Sequence, residues 1–139
     1  MQKTVFKRVS QEHSMGCSVA CVASRCRISY QEGLELFSYP QKAWTVGYYC
    51  KDVVRALDRF GLKYSFGAFR ENGFEDILKK EGTIVFVDPC TEYPAGHYLV
   101  RSRSGWMNPW ANYPQMIPVE SKFQKSLPGR VGWVIYEVH

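Results

Sequence analysis

One junction constrains this chain more than any other. At Met15-Gly16-Cys17 a polar segment gives way to a helical run of small and apolar residues, Val19, Ala20, Val22 and Ala23. Their spacing predicts a helix from Cys17 to about Arg27 that must bury its apolar face against the rest of the fold. The first residue of that helix is a cysteine. Unpaired backbone N–H groups and the helix dipole favour an anion there, so a thiolate is stabilised. Gly16 gives the backbone freedom to turn tightly into the helix. Gln11, six positions upstream of the cysteine, can bring a side-chain amide beside the sulfur as a donor to a developing oxyanion. This is the layout of a cysteine nucleophile. The plainer alternative is packing, because cysteine is among the most buried residue types. Cys21, one turn further along, reads as core behind Cys17.

A nucleophilic cysteine needs a base, and the base needs an orienting group. His97 opens the apolar strand pattern Tyr98-Leu99-Val100, directly after Gly96. Asn108 lies eleven residues on, beyond a turn at Ser104-Gly105, where the next antiparallel strand can bring it beside His97. Pro109 stiffens that position. A neutral Asn can hold an imidazole by a hydrogen bond without abolishing a Cys⁻/HisH⁺ pair, whose opposite charges stabilise each other. Rival assignments stay open. His13 is a second candidate base, or simply an exposed or cleft-lining residue. Asp88, at a strand end in Val87-Asp88-Pro89, is the second candidate orienter. Asn108 in Asn-Pro is also an ordinary turn opener, and His139 is terminal. Trp44, Tyr48, Tyr49, Trp106 and Trp110 are candidate walls of a substrate cleft, with core packing as the alternative. Gly16 borders the same candidate binding region.

Along the chain, Thr4-Val5-Phe6 reads as a short strand or extended arm. Ser29 with Glu32 three residues later forms a capping-box signal for a second helix through Leu34 and Phe37, stopped by Pro40. A third helix runs from about Cys50 to Phe60, with Val53, Val54, Leu57 and Phe60 in helical register and Gly61 as its stop. Leu62–Phe66 alternates as a half-buried strand, and Phe74–Lys80 reads as a short helix. Thr83-Ile84-Val85-Phe86-Val87 is the best central-strand candidate. Gly96–Ser102 and Val131–Val138 are further strands, with residues 110–130 loop-like. Helices crowd the first half and strands the second, which predicts an α+β fold with a mostly antiparallel sheet. The 139 residues, 45% of them apolar, read as a single domain with an adequate core.

The order Gln11-x5-Cys17, helices, an apolar strand, Gly96-His97-Tyr98-Leu99-Val100, a turn and Asn108-Pro109 resembles the papain-like cysteine peptidases. It is most similar to their C39 branch, known from bacteriocin-leader processing. The step Leu57-Asp58-Arg59-Phe60-Gly61-Leu62-Lys63, followed by Phe74–Lys80 and Ile84–Val87, is similar to a helix-to-strand step of that family, and the likeness covers about residues 9–110. It implies a papain-like fold whose N-terminal nucleophile helix packs on a C-terminal sheet. It also implies Cys17 as nucleophile, His97 as base, Asn108 as orienter and Gln11 as oxyanion donor. The implied substrate is a peptide or protein, cleaved after a small residue such as glycine. The chain departs from the family at Ser18, where Gly is common, and at Asn108, where Asp is more frequent. None of the 139 residues forms a transporter segment, so export-coupled leader processing is not expected. A peptidase or isopeptidase is the leading reading. An amidase, deamidase or acyltransferase effector uses the same triad, and a non-catalytic binding module is the third reading.

Other classes are disfavoured. Five cysteines without a C-x-x-C pair argue against a disulfide framework or a zinc site, and the three histidines stand far apart, so no metal or cofactor is expected. A net charge of +5 is scattered over modest clusters such as Lys79/Lys80 and Arg101/Arg103 without a nucleic-acid motif, so nucleic acid is not the expected partner. No run approaches the ~20 apolar residues of a membrane span. The basic N-terminus lacks the apolar block of a signal peptide, and a cytoplasmic protein is expected, its small size also suiting a secreted effector or a phage-encoded enzyme.

Overall fold

The computed structural model describes residues 6–139. Helix α1 spans Cys17–Cys26 and α2 spans Tyr30–Leu34. A 3₁₀ turn follows at Pro40–Trp44, then α3 at Cys50–Phe60. Strand β1 (Tyr64–Ala68), helix α4 (Phe69–Asn72) and a 3₁₀ turn (Ile77–Lys79) lead into β2 (Ile84–Val87). The chain closes with β3 (His97–Ser102), β4 (Gly105–Asn108), β5 (Lys122–Gln124) and β6 (Val131–Glu137). All six strands join one antiparallel sheet in the order β1-β6-β2-β3-β4-β5. The α+β architecture expected from the order of the elements is the one observed.

Local chemistry explains the element ends. The Ser29–Glu32 capping box opens α2 with both reciprocal bonds formed. That helix ends at Leu34, and Leu36 and Phe37 are carried on tighter i→i−3 turns instead of the longer helix expected. The N–H of Leu62 closes the end of α3 by bonding back to Leu57 O, so β1 starts at Tyr64 rather than at Leu62. Only the 3₁₀ turn forms within the helix expected at 74–80, while α4 and the edge strand β5 lie where neither was expected. The arm expected at Thr4–Phe6 falls largely outside the described residues, and residues 6–10 hold no strand.

β2, the apolar run read as a central strand, lies between β6 and β3 and is buried on both faces. Period-two alternation divides the core. One cluster packs α1, α2 and α3 against Ile84, Tyr98, Val100, Met107 and Ile135. The other covers the opposite face with Phe74, Val85, Val87, Leu99, Trp106 and Val134. α1 therefore lies across β3, and its N-terminus reaches the end of the sheet where β3 begins.

Candidate active site

The nucleophile helix is set by a close approach. Gly16 has an ordinary backbone conformation (φ −97°), so the conformational freedom expected of it is not used. What demands glycine is space: a Cβ there would stand 2.0 Å from Tyr30 Oη. Tyr30 in turn bonds His13 Nδ1 at 3.0 Å, which holds the loop before α1. Among the described residues no side chain caps α1, and no acidic residue lies in its first turn, so the N–H groups at Cys17 keep their positive field.

Gln11 is 2% exposed. Its Nε2 donates to His13 O (2.9 Å) and Ser14 O (3.2 Å), and its own N–H bonds Pro109 O at 3.2 Å, tying the loop to the end of β4. Two backbone carbonyls fix which end of the amide is nitrogen. Oε1 is left buried, with no partner among the described residues.

His97 opens β3. Gly96 before it has φ +83°, and a Cβ there would stand 2.2 Å from the Phe86 ring, so only glycine lets the chain enter the strand at this point. His97 Nε2 lies 2.8 Å from Asn108 Oδ1. Both side chains are buried. The proton positions follow from the partners. Trp110 N–H donates to Asn108 Oδ1 (3.0 Å), so that atom is an acceptor and Nε2 of His97 carries the hydrogen. Asn108 Nδ2 donates to Tyr93 Oη (3.0 Å) and Gln124 Oε1 (3.1 Å), and Tyr93 Oη–H donates to Trp110 O (2.7 Å). The network thus leaves Nδ1 of His97 as the basic nitrogen. Tyr93 also lies flat on the imidazole, 3.9 Å between centroids and 2° between planes. Nothing in local periodicity singles Tyr93 out, because its role depends on the hydrogen bonds and stacking made after the sheet assembles.

The electrostatics differ from the resting thiolate–imidazolium pair expected above. Burial pushes the Cys17 thiol up to about 11, against the backbone N–H groups of Tyr98, Ser18 and Cys17 itself, which favour the thiolate. Burial drives His97 down to about 4, against its bond to Asn108. Desolvation outweighs the helix N-terminus, so thiol and neutral imidazole are favoured. The hydrogen bond from Tyr98 N–H also sets the sulfur against the start of β3, one residue from His97.

A stability prediction follows. Between pH 6.5 and about 4 the unfolded chain protonates His97 while the folded chain does not, so unfolding becomes easier as pH falls through that window. The contribution is complete above 6.5 and amounts to about 3 kcal/mol at most. Urea unfolding at pH 7, 5.5 and 4 should show a steeper loss of stability in the wild type than in His97→Gln. Equal slopes would mean that His97 is not held neutral.

Two cavities meet at Cys17, sharing Met15, Ala95 and Gly96. The larger, about 600 Å³, is lined among others by Val46, Tyr48, Tyr49, Phe66, Phe86 and Trp133. The smaller, about 290 Å³, holds Gln11, His97, Tyr93, Trp110, Tyr113 and Met116. Tyr48, Tyr49 and Trp110 therefore wall the cleft. Trp44 does not: it is 49% exposed and packs on His13, 4.9 Å between centroids. Trp106 does not either, since strand alternation buries it in the second core with Arg101 over its ring at 5.5 Å. Gly16 lines neither cavity, being covered by Tyr30. His13 engages Tyr30, and Asp88 is paired with Arg130 at 3.9 Å, so Asn108 is the residue that meets His97. The aromatic walls Phe66, Phe86 and Trp133 come from three different strands and carry no signal of shared location in the sequence.

No protein-family model matches the chain, and no curated protein matches it in sequence. Its structure is similar to the crystal structure of the peptidase domain of Streptococcus ComA, a bi-functional ABC transporter involved in a quorum-sensing pathway. The TM-score is 0.59 at 18% identity, with 95% of this chain and 97% of that chain covered. The chain has the α+β fold of that peptidase domain.

Proposed function

We propose that the protein is a cysteine peptidase with Cys17 as nucleophile, His97 as general base and acid, Asn108 as orienter, and Cys17 N–H with Gln11 Nε2 as oxyanion donors. The observation that carries the reading is the buried network around Asn108, which leaves Nδ1 of His97 basic in a cavity shared with Cys17. The likeness to a peptidase domain supports a peptide or protein substrate. Glycine at the cleavage site follows from the family resemblance.

In the first step the Cys17 thiol loses its proton to Nδ1 as sulfur attacks the scissile carbonyl. Because thiol and imidazole rest neutral, this transfer accompanies attack rather than preceding binding. The longer of the two Gln11 Nε2 bonds, at 3.2 Å to Ser14 O, is the one to be exchanged for the oxyanion, while the 2.9 Å bond to His13 O keeps the amide in place. The imidazolium then returns the proton to the leaving nitrogen, the C–N bond breaks, and a thioester remains. Water, deprotonated by Nδ1, attacks the thioester, releasing the acid and restoring the Cys17 thiol.

A mixed peptide library incubated with the protein should yield new N-termini by mass spectrometry, and pretreatment with iodoacetamide should abolish them. Side-chain deamidation without cleavage would move the assignment to an amidase on the same residues.

A further inference from the structure

Resting on the roles just proposed for Cys17 and His97, the two cavities acquire a direction. His97 lines the smaller cavity and is absent from the larger. The group that protonates the leaving nitrogen must lie within hydrogen-bond reach of it, so the leaving chain runs into the smaller cavity and the acyl chain into the larger. We infer that the smaller cavity is a leaving-group subsite selective for an uncharged, apolar residue directly after the scissile bond.

The lining carries this selectivity. Among the described residues it includes no Asp, Glu, Lys or Arg, whereas Lys51 borders the larger cavity. The polar ends of two of its aromatics are already engaged: Tyr93 Oη–H bonds Trp110 O, and Trp110 Nε1–H bonds Gln115 O at 2.8 Å. What they offer a ligand is ring surface. Tyr113 packs against both, 5.4 Å and 4.8 Å between centroids, and Met116 adds an adaptable thioether. A charged side chain entering here would lose hydration and meet no counter-charge. One acceptor of the lining, the buried Oε1 of Gln11, has no hydrogen-bond partner among the described residues. A main-chain N–H of the leaving segment would be its donor, so the subsite reads backbone through Gln11 and side chain through the aromatic wall. The cavity's volume corresponds to about ten waters at ~30 Å³ each, room for one large side chain.

The test uses three reagents that differ only on the leaving side: the chloroacetyl amides of phenylalanine amide, aspartate amide and arginine amide. In each, the Cys17 thiolate displaces chloride, C–S forming as C–Cl breaks, and the modified peptide is quantified by mass spectrometry. The phenylalanine reagent should label Cys17 at least about tenfold faster than the other two. The net charge of +5 would draw the aspartate reagent in, so a deficit for aspartate cannot come from the overall field. Met116, 42% exposed, tolerates a charge, and Met116→Asp should raise the arginine-to-phenylalanine ratio about tenfold. Rapid labelling of Cys17 at equal rates by all three reagents, or a ratio unmoved in Met116→Asp, overturns the subsite and leaves the nucleophile standing. Cys17 reacting no faster than a free cysteine thiol with every reagent overturns the nucleophile and the subsite together.

Discussion

Replacing Cys17 by alanine is expected to abolish turnover, by a factor on the order of 10⁵ or more, and to leave the fold intact. The first half follows from chemistry, since no other group in the shared wall of the two cavities can form the thioester. The second half follows from where α1 is anchored. Val19, Ala20, Cys21, Val22 and Ala23 are fully buried, whereas Cys17 packs only at the edge of that cluster. Losing one sulfur there should cost about 1 kcal/mol. The measurement is turnover of a peptide found in the library, beside circular dichroism and a melting curve. An alanine variant that unfolds would make Cys17 a core residue, and one that keeps turning over would remove the nucleophile from the mechanism. Cys26, Cys50 and Cys90 are expected to be dispensable for chemistry. A folded but inactive Cys90→Ser would relocate the site.

The second large effect separates the base from its orienter. His97→Ala should lower kcat/KM by about 10³-fold, within the range for loss of a general base. Asn108→Ala should lower it by roughly 10²-fold or less, because the imidazole keeps its flat contact with Tyr93 and loses only its hydrogen-bonded anchor. Stability should rank the other way. Removing Asn108 strips the acceptor from two buried donors, His97 Nε2–H and Trp110 N–H, and leaves Gln124 Oε1 without its donor, at about 1–3 kcal/mol for each group left unsatisfied. A thermal melt of each variant beside its kinetics therefore tests both roles. Equal kinetic losses would give Asn108 a part in proton transfer, and a stable Asn108→Ala would mean that the network can rearrange around its absence.

The parts of this protein legible from sequence are those set by neighbours along the chain. The bounds of α3, the capping box at Ser29, the buried strand β2 and the placement of Cys17 at a helix start and His97 at a strand start all rest on periodicity and local hydrogen bonding. Asn108 is within reach for the same reason, since a short turn, expected at Ser104-Gly105 and formed by Arg103-Ser104, leaves little choice about which strands become adjacent. The resemblance to C39 peptidases rests on those positions in order, and the fold it implies is similar to that of a known peptidase domain.

Tertiary structure alone decided the rest. Trp106 and Tyr48 are both aromatic and both buried, yet only the assembled sheet determines that one faces the second core and the other the cleft. The requirement for glycine at position 16 lies in the approach of Tyr30, not in backbone freedom, and the grip of Tyr93 on His97 and Asn108 joins residues whose meeting no spacing rule forecasts. The charge state of the site is the sharpest case. A helix N-terminus beside a cysteine argues locally for a thiolate, but desolvation is imposed by everything packed around the group, and here it works against the charged form of both thiol and imidazole. Sequence determined which chemical groups are present and the local elements that present them. Packing determined their surroundings, and with them their charge, their partners and the direction in which a substrate would lie.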